Sequence, residues 1–266
     1  MRHDHPVKGC RRINLTYDTS GKITKVTYTA WDPATSAMKT VNIAEYGYDG
    51  TTADARLVSV KDSRTGDITS YTYATDSAAG VPLIASTEEK TSGGTRVDAP
   101  TYYSYGLGNT GSGRADWLEK VERGNATDGN TRVQTARFVY GVNPVGDGNN
   151  LPDLREERVK LWEQEGTKRP VTGYAVFGAG KNIASSKAGS VAAGDFKYAD
   201  LQYVDSQNRV VNTSSYAAGA WQSTASVFNE DGNVERSYDE RALRMIQASA
   251  ATPGNVVDGI LNGHKD

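Results

Sequence analysis

The chain of 266 residues has a single cysteine, Cys10, which excludes an intrachain disulfide and any metal site built from several thiolates. Histidine is nearly as scarce. His3, His5 and His264 sit at the two ends, with no spacing that suggests zinc, and no internal histidine is left for a Ser-His-Asp or Cys-His arrangement. No apolar run approaches the ~20 residues needed to cross a bilayer. The opening stretch MRHDHPVKGCRRINL lacks an apolar core and does not read as a signal peptide, so we expect either export by another route or a piece of a longer polypeptide. Neither sign of charge dominates: 30 basic side chains face 32 acidic ones, which argues against a nucleic-acid partner.

Aliphatic bulk is also thin. Leu, Ile, Val and Phe number 46, under a fifth of the chain, and that level signals disorder when joined to high net charge and few aromatics. Here the net charge is −2, and 15 Tyr with 4 Trp restore part of the missing apolar area. Val outnumbers Leu by 23 to 11, which favours strands over helices. The composition fits a thin, Tyr-rich β structure.

Within it one pattern recurs: aromatic, Asp or Asn, two variable residues, Gly, a polar residue, aliphatic. It runs from Tyr17 and Asp18 through Gly21 to Ile23, and again from Phe228 and Asn229 through Gly232 to Val234. A third copy runs from Val204 and Asp205 to Val210, with Asn208 at the glycine position, where Asn is the second residue type that tolerates positive φ. Looser copies begin at Asp62, at Tyr48-Asp49 and at Phe177. Strand-like runs follow each, among them KITKVTY, RLVSV, NIASS and RVVNTSSY. The turn chemistry explains the spacing. Asp or Asn bonds back to the turn backbone, Gly takes the left-handed position, and the aliphatic residue reopens a strand.

This unit resembles the YD repeat of Rhs-type proteins, found also in the C subunits of insecticidal toxin complexes and in teneurins. The resemblance covers about residues 13–245. It implies an all-β fold of antiparallel hairpin repeats, forming a curved or spiralling ribbon that is part of a YD-repeat β-shell. Such a shell encloses a toxin or partner polypeptide, or is displayed at a cell surface as part of an adhesion receptor. Two departures stand out. The Asp-Pro-x-Gly segment that commonly ends an Rhs shell is absent, since Asp32-Pro33 leads to Ala34-Thr35. The non-repeat tail from about Arg241 is shorter than a toxin would need, so the chain is expected to be a segment of a shell and not a whole one.

The expected organisation is an N-terminal extension (1–12), a repeat segment (13–245) and a C-terminal tail (246–266). A short helix is expected from Arg241, with a break at Pro253-Gly254. Gly106–Asp116 and Gly141–Asp153 read as long loops, and Gly178–Asp195 as a repeat turn, a short strand and a loop. Against a two-domain split near Pro144–Pro152, hairpins of one type on both sides favour one continuous ribbon. Such a ribbon would have unpaired edges, so the partners expected are the rest of a longer Rhs-type polypeptide or a toxin cargo. The location expected is secreted or cell-surface.

Other motifs are less telling. GLGNTG (Gly106–Gly111) has no helix after its third glycine and reads as a loop, and GAGKN (Gly178–Asn182) lacks the magnesium-ligating hydroxyl of a phosphate loop. Glu88 and Glu89, as strand neighbours, would point to opposite faces and share no site. Glu156-Glu157 and Glu163/Glu165 read as solvated charge. No catalytic residue, metal or cofactor is expected. The turn and wall residues Tyr17, Asp18, Gly21, Ile23, Asp205, Asn208, Phe228, Asn229 and Gly232 are assigned to folding. Trp31, Trp117, Trp162 and Trp221 are assigned to the wall, with an alternative as aromatics of a carbohydrate- or receptor-binding β module.

Overall fold

The turns at Asp18–Gly21 and Asp32–Ser36 bracket the run ITKVTYTAWD, which is rich in β-branched and aromatic residues. Asp32 Oδ1 accepts the Ala34 N–H at 3.0 Å and Ser36 turns through φ 51°, which closes the second turn. The same logic repeats along the chain. The computed structural model describes residues 11–74, 82–106, 116–125, 127, 131–146 and 150–250. Its strands are β1 (Arg11–Tyr17), β2 (Ile23–Asp32), β3 (Ala37–Tyr48), β4 (Leu57–Asp62), β5 (Ile68–Tyr73), β6 (Ile84–Lys90) and β7 (Thr101–Tyr105). There follow β8 (Leu118–Gly124), β9 (Arg132–Val142), β10 (Thr172–Gly178), β11 (Ala199–Val204), β12 (Val210–Ala217), β13 (Ala220–Phe228) and β14 (Val234–Tyr238). They form an antiparallel sheet of 14 strands whose order is that of the chain. Cys10, the three histidines and Pro253-Gly254 lie outside the described residues.

The chain forms two compact units, 1–117 with 121–133, and 118–120 with 134–266. In the first, Pro100 and Gly106 are the only buried positions among the described residues, and β2 and β4 are half-buried along their whole length. Cross-strand polar pairs replace a core there. Asn14 Nδ2 donates to Thr29 Oγ1 at 3.2 Å, Thr29 and Thr40 hydroxyls meet at 2.8 Å, and Thr72 meets Ser86 at 2.7 Å.

The second unit is built differently. β10 alternates half-buried and buried side chains over Thr172–Phe177, so one face of its sheet is covered. The cover comes from the connections: the short helix α1 (Glu156–Val159), 3₁₀ turns at Lys160–Trp162 and Ala193–Tyr198, and the helix α2 (Glu240–Ala250). Trp162, Phe177, Leu201, Val227, Leu243 and Ile246 share one apolar cluster. Trp162 is wholly buried, and its Nε1–H donates to Gln164 Oε1 at 2.8 Å. Gln164 Nε2 in turn donates to the carbonyls of Val211 and Ser226 at 2.9 and 3.0 Å, fastening the cover to β12 and β13.

The run Asn182–Ser186, expected as a strand, is not one. It crosses the unit as irregular backbone held by β9 side chains. Gln134 Nε2 donates to Lys181 O at 3.0 Å and Arg137 Nη2 to Ala184 O at 2.9 Å, while Ile183 enters the core. The helix expected from Arg241 begins one residue earlier, and Asp239 Oδ1 accepts the Ala242 N–H as its cap.

One glycine marks a close approach that the sequence does not advertise. A Cβ on Gly173 would lie 2.6 Å from the Tyr203 ring and 2.9 Å from Gln202 O, against a phenol wholly buried in the core. Gly173→Ala should therefore lower the unfolding free energy by about 2 kcal/mol, measured in urea by circular dichroism. An unchanged midpoint would show that the contact relaxes at no cost.

Candidate functional site

The residues singled out by the repeat converge on the ends of the odd-numbered strands. Asp18 N donates to Lys22 O at 2.9 Å, and Asp18 Oδ1 accepts N–H bonds from Ser20 and Lys22, both at 2.9 Å. Asp205 repeats this with Gln207 and Arg209, both at 2.9 Å, and adds an ion pair of 2.7 Å to Arg209. Asn229 accepts from Asn233 at 2.9 Å. Gly21 and Gly232 both have φ of 83° and Asn208 has 62°, so all three glycine positions are left-handed.

Strand registers make the equivalence sharper. Tyr17 pairs with Ile23, Tyr48 with Leu57, Tyr73 with Ile84, Val204 with Val210 and Phe228 with Val234. In every case a bulge directly precedes the pair, and the skipped residue is the one after the aliphatic opener: Thr24, Val58, Ala85, Val211 and Glu235. A bulge adds local right-handed twist and re-aims the side chain beside it.

Two contacts then recur between successive hairpins. The Tyr48 hydroxyl donates to Ile23 O at 2.9 Å, Tyr73 to Leu57 O at 2.7 Å, Tyr105 to Ile84 O at 2.9 Å and Tyr140 to Leu118 O at 2.5 Å. Each acceptor is the opener of the preceding hairpin. Burial pushes the Tyr73 and Tyr105 phenols above their ordinary value of 10.0, which keeps them donors. The second contact is a cation over the ring. Lys22 lies 5.5 Å from the Tyr48 centroid, Arg56 4.7 Å from Tyr73 and Arg209 4.8 Å from Phe228. The basic residue of the motif thus caps the aromatic of the next hairpin.

Sequence reading missed three of these four tyrosines. Tyr73-Ala74, Tyr105-Gly106 and Tyr140-Gly141 carry the aromatic without the Asp, so the motif does not flag them. Their signal is a Tyr that closes a strand-like run. Conversely, Asp62 heads a real turn, with Gly66 at φ 83°, but it closes β4 and so lies at the opposite strand end, as does a turn at Thr91. At Phe177 neither Gly178 nor Gly180 is left-handed, and no side chain bonds back.

The tryptophans scatter. Trp162 is sealed in the core and offers no face to a ligand. Trp31 is half-buried on β2 opposite Met38, and Trp117 lies half-exposed just before β8. Trp221 meets Tyr216 edge-on at 5.4 Å. Those two rings line a cleft of about 360 Å³ with Asp153, Arg158, Glu240 and Arg244. Glu240 is ion-paired to Arg244, which also donates to Gln222 Oε1 at 3.2 Å. Elsewhere Glu88 is paired with Lys90 and Arg96, which hold it below its ordinary 4.5. Among the described residues no three or more His, Cys, Asp and Glu are grouped to hold a metal, and no helix is long and apolar enough to cross a membrane. GLGNTG lies outside the described residues beyond Gly106.

No family model matches the chain, and no curated protein matches it. Among solved structures, one described as the crystal structure of TcdB2-TccC3-Cdc42 aligns with 87% of this chain and 12% of its own, at 11% identity and a TM-score of 0.32. That likeness is too slight to argue from.

The turn carboxylates carry a pH signature. The Lys22 backbone N–H and the Ser20 hydroxyl hold Asp18 below its ordinary 3.8, the Arg56 backbone N–H does the same for Asp49, and the Arg64 side chain draws Asp62 down to about 2. Folded values below unfolded ones mean stability that is present above about pH 4 and lost as pH falls through the folded values. Asn229 shows that a neutral amide oxygen can fill the position. The triple variant Asp18→Asn, Asp49→Asn, Asp62→Asn should keep its turns but lose much of the decline in melting temperature between about pH 4 and pH 2. An equal decline in the triple variant would place the acid sensitivity elsewhere.

Proposed function

We propose that this chain is a segment of a structural wall, of the kind the YD-repeat resemblance implies: a shell that encloses a toxin or partner polypeptide, or is displayed outside the cell. The observation that carries this reading is the hairpin-to-hairpin link. The same three devices recur along the ribbon: a bulge after the opener at five strand ends, a phenol-to-carbonyl bond at four steps and, where Lys or Arg precedes the opener, a cation over the next ring, so the ribbon can be extended by rule. The bulge repeated at one strand end adds twist at each hairpin, which supports a curving ribbon. A first unit with almost no core suits a wall whose stability comes from its neighbours along the ribbon. In this reading Tyr17, Asp18, Gly21, Ile23, Asp205, Asn208, Phe228, Asn229 and Gly232 build the wall and do no chemistry. The natural polypeptide carrying this chain, purified intact, should appear by electron microscopy as hollow particles with walls on the order of 10 Å thick. Solid particles would contradict an enclosing role.

The cleft in the second unit favours a second reading, a carbohydrate-binding module. Tyr216 and Trp221 supply flat apolar surface, and Asp153, Arg158 and Glu240 supply the acceptors and donors that sugar hydroxyls need. On a glycan array, Trp221→Ala should then abolish any signal the parent chain gives. Binding that survives the substitution would remove this reading.

A further inference from the structure

The hairpin link leaves one position unfilled. Tyr48, Tyr73, Tyr105, Tyr140 and Phe228 are all half-buried, whereas Tyr17, at the equivalent place on β1, is 54% exposed. Among the described residues its hydroxyl has no acceptor, its ring has no cation over it, and nothing pairs with the outer edge of β1. Ile13 and Leu15, on the same face as Tyr17, are 67% and 45% exposed. Beyond its two leading arginines β1 reads INLTY, so the half of the edge next to Tyr17 carries neither the proline nor the charge that blunts an open edge. The last strand, β14, is not equivalent. Its Glu235 and Arg236 are ion-paired to Lys168 and Glu163, and α2 follows it directly.

We propose that the free edge of β1 is a docking surface for a further hairpin of the repeat. The incoming strand runs antiparallel to β1 and opens on an aliphatic residue whose carbonyl accepts the Tyr17 hydroxyl. The residue before that opener is Lys or Arg, and its cation sits over the Tyr17 ring. The established link between β2 and β3 sets this chemistry: Ile23 O accepts from Tyr48, and Lys22 covers the Tyr48 ring. A second copy of the chain fits less well, because its last opener, Val234, is preceded by the uncharged Asn233. The proposal rests on the wall reading and adds to it the rule by which a neighbour is chosen.

The test uses a peptide of Arg11–Asp32 closed by a disulfide between cysteines replacing the register partners Arg11 and Ala30, its hairpin verified by circular dichroism. The fluorescently labelled peptide is titrated with the full chain and followed by anisotropy. Saturable binding is expected. Tyr17→Phe in the chain should weaken it about 5-fold, as for one lost hydrogen bond, without changing the chain's own melting temperature. Lys22→Ala in the peptide should weaken it about 2- to 5-fold, and Tyr71→Phe in the chain should leave it unchanged. A folded peptide that does not bind, or binding indifferent to Tyr17→Phe, would overturn the proposal. So would self-association of the chain that Tyr17→Phe abolishes while the peptide stays unbound, since that puts a second copy on this edge. Hollow particles with no peptide binding would leave the wall reading standing and remove only this docking rule.

Discussion

The hairpins from β2 to β9 depend on a tyrosine hydroxyl reaching the carbonyl that opens the preceding hairpin. A β-hairpin alone is marginal in water, because two strands cannot bury enough apolar surface to offset their ordering. Tyr48, Tyr73, Tyr105 and Tyr140 change that balance by spanning from one hairpin to the next, each with a ring against its neighbour and a phenol on a fixed acceptor. At Tyr48 and Tyr73 a bulge just after the next opener accompanies this geometry, whereas at Tyr140 the skipped residue is Gly141 on β9 itself. Lys22, Arg56 and Arg209 then cover the rings from the turn side. Stability in such a ribbon is a nearest-neighbour property, as in other repeat architectures.

The two units solve the burial problem by different means. The first keeps cross-strand hydroxyl pairs and half-buried aromatics, with almost no buried position. The second covers its sheet with the long connections after β9 and β10 and with α2, and puts Trp162 and Gln164 at the junction. The cover costs backbone regularity, which is why Asn182–Ser186 is irregular despite its strand-like sequence. Side chains from β9 satisfy the carbonyls that a ladder would otherwise have satisfied.

Much of the turn chemistry was legible in the sequence, because Asp18, Asp205 and Asn229 must lie a fixed distance before a left-handed Gly or Asn. The partner of that chemistry was not. Tyr73 and Tyr105 lack a following Asp, and their acceptors lie 16 and 21 residues back in the chain, a separation that no local pattern encodes. The end of the sheet at which a turn sits was equally hidden. Asp62 and Asp18 look alike in sequence, yet they close strands that run in opposite directions. Gly173 and Trp162 derive their importance from elements that meet only in the fold. Trp221 was legible as an aromatic, but its cleft depends on α2 and on the connection carrying Asp153.

The hairpin link is tested most directly by removing one oxygen at a time. Tyr48→Phe, Tyr73→Phe and Tyr105→Phe should each lower the unfolding free energy of the chain by about 1 kcal/mol, the net worth of one hydrogen bond. Tyr71→Phe, on β5 next to Tyr73 in the same half-buried setting but bonding to no carbonyl, should cost nothing measurable. Four equally silent substitutions would contradict the link and leave the hairpins coupled by the backbone ladder alone.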